Sequence, residues 1–138
     1  MRVAVVLALV ATAVGQVTLD YLNLRHMGAS MGWVWNDANQ RVIGWWAIIG
    51  VVNLLLAGGV LAGSRLASVA ALIWSSLLAL LWLWWTVMYL MKAARVELPE
   101  LYPFAVPGIF TLAYGVASAG AVRMLTRQRR NGAVRTGS

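Results

Sequence analysis

Cysteine is absent from the 138 residues, which excludes disulfides, thiol nucleophiles, thioether-linked haem and cysteine-held iron–sulfur clusters. Histidine occurs once, at His26. A metal centre needs several donors and a bis-histidine haem needs two such residues, so neither is expected. Acids are almost as scarce: Asp20, Asp37, Glu97 and Glu100 are all there are. None lies near the middle of an apolar run, where a proton relay or a carboxylate-coupled carrier would place one. Prolines number three, at Pro99, Pro103 and Pro107, and they fall together, leaving the first two thirds of the chain without the strongest helix breaker.

What fills the chain instead is hydrocarbon. The composition is 62% hydrophobic and 11% charged, against about 45–50% and about 25% in soluble domains. So few charges cannot cover so apolar a core, and lipid is expected to do it. Four runs are long enough to cross about 30 Å of hydrocarbon at about 1.5 Å per residue: about 3–22, 42–62, 66–91 and 103–122. The expected fold is an all-α, integral membrane four-helix bundle, antiparallel and up-down. A four-span domain occupies residues 1–125, and a basic, disordered cytoplasmic tail residues 126–138. The "GSR" at 63–65 reads as a tight hairpin. Asp37 with Gln40 reads as a capping pair for the second helix, and the prolines gather at the start of the fourth, where a first turn tolerates them.

Arginine and lysine set the direction, because cytoplasmic flanks retain them. Arg2, Arg65, Arg123, Arg127, Arg129, Arg130 and Arg135 fall on one side with no acid. Arg25, Arg41, Lys92 and Arg95 share the other side with all four acids. Both termini are therefore expected in the cytoplasm, with the chain in a prokaryotic cytoplasmic membrane. The start "MRVAVVLALVATAVGQ" also resembles a signal peptide with a small-residue site at Ala11-Thr12-Ala13. Cleavage there would leave three spans and an external N-terminus, against the charge bias, so the segment is read as a retained span.

Aromatic residues collect on the side opposite the arginines. Trp45, Trp46, Trp82, Trp84, Trp85, Tyr89, Tyr21, Tyr102 and Phe104 fall there, with Trp33 and Trp35 in the connecting loop. Interfacial anchoring enriches both boundaries, so a one-sided belt raises a second possibility, an aromatic vestibule or docking surface. Trp84 and Trp85 diverge by about 100° on a helix and cannot both face headgroups equally. In the loop, Gly28, Ser30 and Gly32 are expected to interrupt any helix.

Polar residues at membrane depth are the remaining candidates. Thr12, Asn53, Ser75, Ser76 and Tyr114 all arrive near the midplane, and Thr12, Gln16 and Asp20 recur at i, i+4 on one face of the first helix. The hypothetical ligand pocket is Gln16, Asp20, Asn53, Trp82, Trp85, Tyr89 and Tyr114. Helix contact is expected at Ala11 with Gly15, Gly59 with Gly63, Ala71 with Ser75 and Ala79, and Ala113 with Ala117 and Ala121. Small multidrug antiporters are similar in size and span number, but they need a glutamate where this first span reads "VVLALVATAVG". The sequence thus points to a non-enzymatic protein without cofactor or metal. The first expectation is an accessory subunit that packs on a membrane-protein partner or on itself; the alternative is a binder or transporter of a lipid- or quinone-like molecule. The basic tail lacks aromatics to stack on bases, so nucleic acid is not an expected partner.

Overall fold

The computed structural model describes residues 1–31, 37–93 and 102–136, and those residues are helical apart from the first residue and one hairpin. The helices are α1 (Arg2–Met31), α2 (Asp37–Leu61), α3 (Arg65–Ala93) and α4 (Tyr102–Thr136). Each contains a stretch long and apolar enough to cross a membrane: Arg2–Leu19, Ile43–Leu61, Arg65–Met88 and Val106–Arg130. No more than a third of any such stretch is buried. Large apolar side chains such as Leu55, Leu66 and Leu112 point outward with more than two thirds of their surface free. In water that surface would be prohibitive, whereas in a bilayer it is the solvated face.

Three boundaries differ from the sequence-based expectation. α1 passes through Gly28 and Ser30 to Met31, because a glycine costs a helix only about 1 kcal/mol and Leu24, Arg25, Met27 and Ala29 around it favour helix. The expected disordered tail gives way to helix as far as Thr136; propagation from a formed span is cheap compared with nucleation, and arginine, glutamine and alanine propagate well. Pro103 sits in the first turn of α4 as expected, but Pro107 lies inside the helix, where its missing N–H removes one bond from the ladder. The second helix begins at Asp37, although the capping contact expected there lies outside the described side chains. So do residues 32–36, with Trp33 and Trp35.

The helices form a ring in which the backbone of α1 approaches α2 and α4, and that of α3 approaches α2 and α4; among the described residues no diagonal pair of backbones comes close. Close approaches follow the small residues. A side chain placed at Gly50 would meet the backbone oxygen of Ala13 at 3.3 Å, and one at Gly59 would meet Ala67 Cβ at 2.5 Å. Gly120 lies against Val5, and Gly15 against the Phe110 ring. Of the expected small-residue faces, Gly59, Gly15, Ala71, Ala117 and Ala121 lie at packed positions, while Gly50 and Gly120 are additional. Val5, Leu9, Ala57, Val60, Ala71, Ala117, Ala121 and Met124 form one core, and Leu78, Trp82, Phe110 and Tyr114 a second.

The hairpin between α2 and α3 is determined locally. Gly63 takes φ +83°, a conformation that costs other residues about 1–2 kcal/mol. Its N–H donates to Val60 O at 3.1 Å, and the Ser64 N–H donates to Gly59 O at 3.0 Å, which is the Schellman arrangement that satisfies the last carbonyls of a helix. Ser64 then caps α3, its Oγ accepting from the Ala67 N–H at 3.2 Å. The Arg2 guanidinium lies over Gly63, so the start of α1 meets the same turn.

The glycine contacts generate a stability test. Gly120→Leu should destabilise the bundle by about 1–3 kcal/mol through overpacking against Val5. Gly115→Ala, with open space at its Cβ position, should be neutral or slightly stabilising. Thermal unfolding of both variants in detergent checks the pair, and similar losses would mean that α1 and α4 do not pack as described.

Candidate functional site

All four helices contribute a polar side chain to one buried cluster. Trp74 on α3 donates its indole Nε1–H to Asn53 Oδ1 at 2.8 Å. Asn53 on α2 donates from Nδ2 to Tyr114 Oη at 2.9 Å and to Thr12 Oγ1 at 3.1 Å. Tyr114 on α4 donates its hydroxyl to Gln16 Oε1 at 3.0 Å, returning the chain to α1. Thr12 places its own proton on the carbonyls of Ala8 and Leu9, at 2.9 Å each. Asn53 and Tyr114 are fully buried, and Thr12 and Gln16 nearly so.

The cluster lies near the middle of the four candidate spans. Thr12, Asn53, Trp74 and Tyr114 are each nine or ten residues from Arg2, Gly63, Arg65 and Arg123 respectively, or about 14–15 Å along a helix. That is half of a hydrocarbon layer about 30 Å thick. Polar groups at that depth have no water to bond, so they find one another.

Directionality is imposed by the indole. An indole nitrogen can only donate, so Asn53 must turn its oxygen towards Trp74 and its amide hydrogens towards Thr12 and Tyr114. Tyr114, already accepting from Asn53, has its proton free for Gln16 Oε1. The amide of Gln16 is thereby oriented with Nε2 pointing away, and that nitrogen is buried without a partner. A second unmatched donor, Trp82 Nε1, is also buried. Each unmet donor costs about 1–3 kcal/mol.

Trp82 belongs to an aromatic stack that crosses three helices. Its ring lies 5.5 Å from Trp46 at 23° and 4.8 Å from Phe110 at 28°; such pairs contribute about 0.5–1.5 kcal/mol each beyond burial. The α2–α3 interface is the sparsest of the four, and the indoles of Trp74 and Trp82 bridge it: backbones approach at Gly59 and Ala67, while ring-sized side chains fill the remainder. Trp45, Trp84 and Trp85 point outward instead, with 67%, 63% and 45% of their surface exposed. Trp84 and Trp85, expected to face different surroundings, are both exposed, and the packed ring of this stretch is Trp82.

Of the seven expected pocket residues, the structure brings Gln16, Asn53 and Tyr114 together by hydrogen bonds, and it packs Trp82 against Phe110 in the core cluster that also holds Tyr114. Trp85 is on the exposed surface, so it does not line the interior with them. The side chains of Asp20 and Tyr89 lie outside those described. Within the expected mid-membrane layer, Ser75 donates to its own-helix carbonyl at Ala71, 2.6 Å away, and Ser76 reaches Ser118 on α4 at 3.3 Å. Neither joins the cluster. Trp74 is absent from the expected set: an isolated tryptophan in an apolar span reads as core, and its depth, level with Asn53, is the signal the sequence offers. Among the described residues no group of three metal-binding side chains occurs. Comparison with family models, curated proteins and solved structures finds no match to this chain.

The directional chain generates a contrast between two variants. Asn53→Leu removes three interhelical bonds and strands the Trp74 donor, so unfolding in mixed micelles should show a loss of about 2–3 kcal/mol. Gln16→Met leaves Tyr114 without an acceptor but also removes the unmet amide, so its cost should stay within about 1 kcal/mol. Equal losses would show that Asn53 is not the hub.

Proposed function

We propose that this chain is a small, non-enzymatic, multi-pass protein of the cytoplasmic membrane that acts as an accessory or interaction subunit, packing on another membrane protein or on a second copy of itself. The observation that carries this reading is the division of its polar and aromatic groups. The polar cluster is turned inward and sealed, with its α1, α2 and α4 members at most 1% exposed, so it serves the bundle's own cohesion. The indoles of Trp45, Trp84 and Trp85 are turned outward at one end, where large, rigid, amphipathic rings suit protein contact.

The accompanying topology is an antiparallel, up-down bundle with both termini in the cytoplasm. Its support is the order of contacts: Arg2 meets Gly63 while Ala13 meets Gly50, and Val5 meets Gly120 while Gly15 meets Phe110. The arginines of the span ends, Arg2, Arg65 and Arg123, then share one side, which the positive-inside rule assigns to the cytoplasm. The basic segment 126–138 follows on that side.

One observation favours a second reading, a binder of an apolar molecule bearing a carbonyl or ether oxygen. Gln16 Nε2 and Trp82 Nε1 are buried donors without acceptors, and a ligand oxygen reaching either from the aromatic end would satisfy it. The two readings separate on purification in mild detergent. The accessory reading expects a protein partner or a defined homo-oligomer, lost in Trp84→Ala/Trp85→Ala with thermal stability retained. A monomer carrying a stoichiometric quinone or lipid, retained in that variant and lost in Gln16→Met, would overturn it in favour of the second. Reporter fusions at both ends test the orientation, and activity of an external reporter at the C-terminus would reverse it.

A further inference from the structure

We propose that the groove between α3 and α4 at the basic end is a binding site for one anionic diacyl phospholipid of the phosphatidylglycerol type. The groove, about 210 Å³, is lined by Arg65, Val69 and Leu72 of α3 and by Val122, Leu125, Thr126 and Arg129 of α4. Each helix contributes one stripe to it. Residues 65, 69 and 72 follow i, i+4, i+7 on α3, and residues 122, 125, 126 and 129 follow i, i+3, i+4, i+7 on α4. Both stripes run from a guanidinium to an apolar floor two turns deeper, about 10 Å along the helix. A headgroup phosphate followed by an acyl chain has that same sequence of chemistry.

Charge decides what kind of headgroup. From Ala38 to Val96 the sequence holds no acid, and none follows Glu100. Asp20 lies eighteen residues beyond Arg2, about 27 Å along α1 and so at the other end of the bundle. Glu97 and Glu100 come after the far end of α3, and Asp37 begins α2 at the end away from the Gly63 turn. Among the described residues no side-chain carboxylate accompanies Arg65 and Arg129, which leaves them to draw counter-charge from outside the bundle. Basic grooves between spans at a membrane boundary are where anionic headgroups bind. Thr126 refines the choice. Its hydroxyl already donates to Val122 O at 2.9 Å, so towards the groove it offers lone pairs, which suit a hydroxylated headgroup better than another phosphate oxygen. The site stands independently of the function proposed above, since neither the aromatic end nor the buried cluster enters into it.

Native mass spectrometry of the detergent-purified full chain, titrated with phosphatidylglycerol or phosphatidylcholine of identical acyl chains, tests the assignment. Wild type should retain phosphatidylglycerol the more tightly. Arg65→Gln/Arg129→Gln should weaken that binding about 30-fold, the change that about 1 kcal/mol for each basic residue corresponds to. Arg123→Gln/Arg127→Gln removes the same charge from α4 positions off the groove stripe and should change binding by less than about threefold. Equal losses in the two double variants, no preference for phosphatidylglycerol in wild type, or equally tight binding of the deacylated headgroup would each overturn the proposal.

Discussion

The amide of Asn53 is the constraint on which the interior depends. In hydrocarbon an unpaired polar group has no solvent to fall back on, so an asparagine at mid-depth requires partners on its neighbours. It finds them on all three other helices: Trp74 as donor, Thr12 and Tyr114 as acceptors. Apolar packing alone would bring these helices together only weakly, because lipid tails are as apolar as the leucines they replace. A polar node with three distinct partners fixes register and rotation together, since sliding any helix by one residue would turn its partner by about 100° out of reach.

Around that node the small and large residues have complementary work. Gly59, Gly50 and Gly120 let backbones approach where α2 meets α3, α1 meets α2 and α4 meets α1. Where the α2–α3 interface is thin, Trp46, Trp74 and Trp82 fill it. The load of aromatic residues in α3 thus has two explanations within a few positions: Trp82 is structural filling, and Trp84 and Trp85 are surface. Loss of the first thirteen residues would remove Val5, Leu9 and Thr12 from the core and from the node, leaving Asn53 with fewer partners than its buried amide requires.

Much of this is legible in the sequence. Four apolar runs specify four helices, with a Gly-Ser-Arg turn between the second and third, and Gln16, Asn53 and Tyr114 stand out because polar residues are rare within such runs. Trp74 is not legible as their partner, since an indole in an apolar run carries no mark of a hydrogen bond until depth and facing are known. The direction of the network is equally hidden. It follows from which atom meets which, a matter of rotamers and not of spacing. The ends of α1 and α4 escape a reading in which glycine and charge act as breakers, because an established helix crosses both at small cost.

The one-way order of the buried network bears on whether its members can pass protons among themselves. Proton hopping along hydroxyls in the Grotthuss manner requires every member to take up a proton on one side as it releases one on the other, and then to swing back. Here the line begins at an indole nitrogen that has no lone pair to reload and passes through a carboxamide held by three contacts at once. Such a line is no relay: it lies across the bundle from helix to helix, holding a fixed order of donors and acceptors that proton hopping cannot reverse.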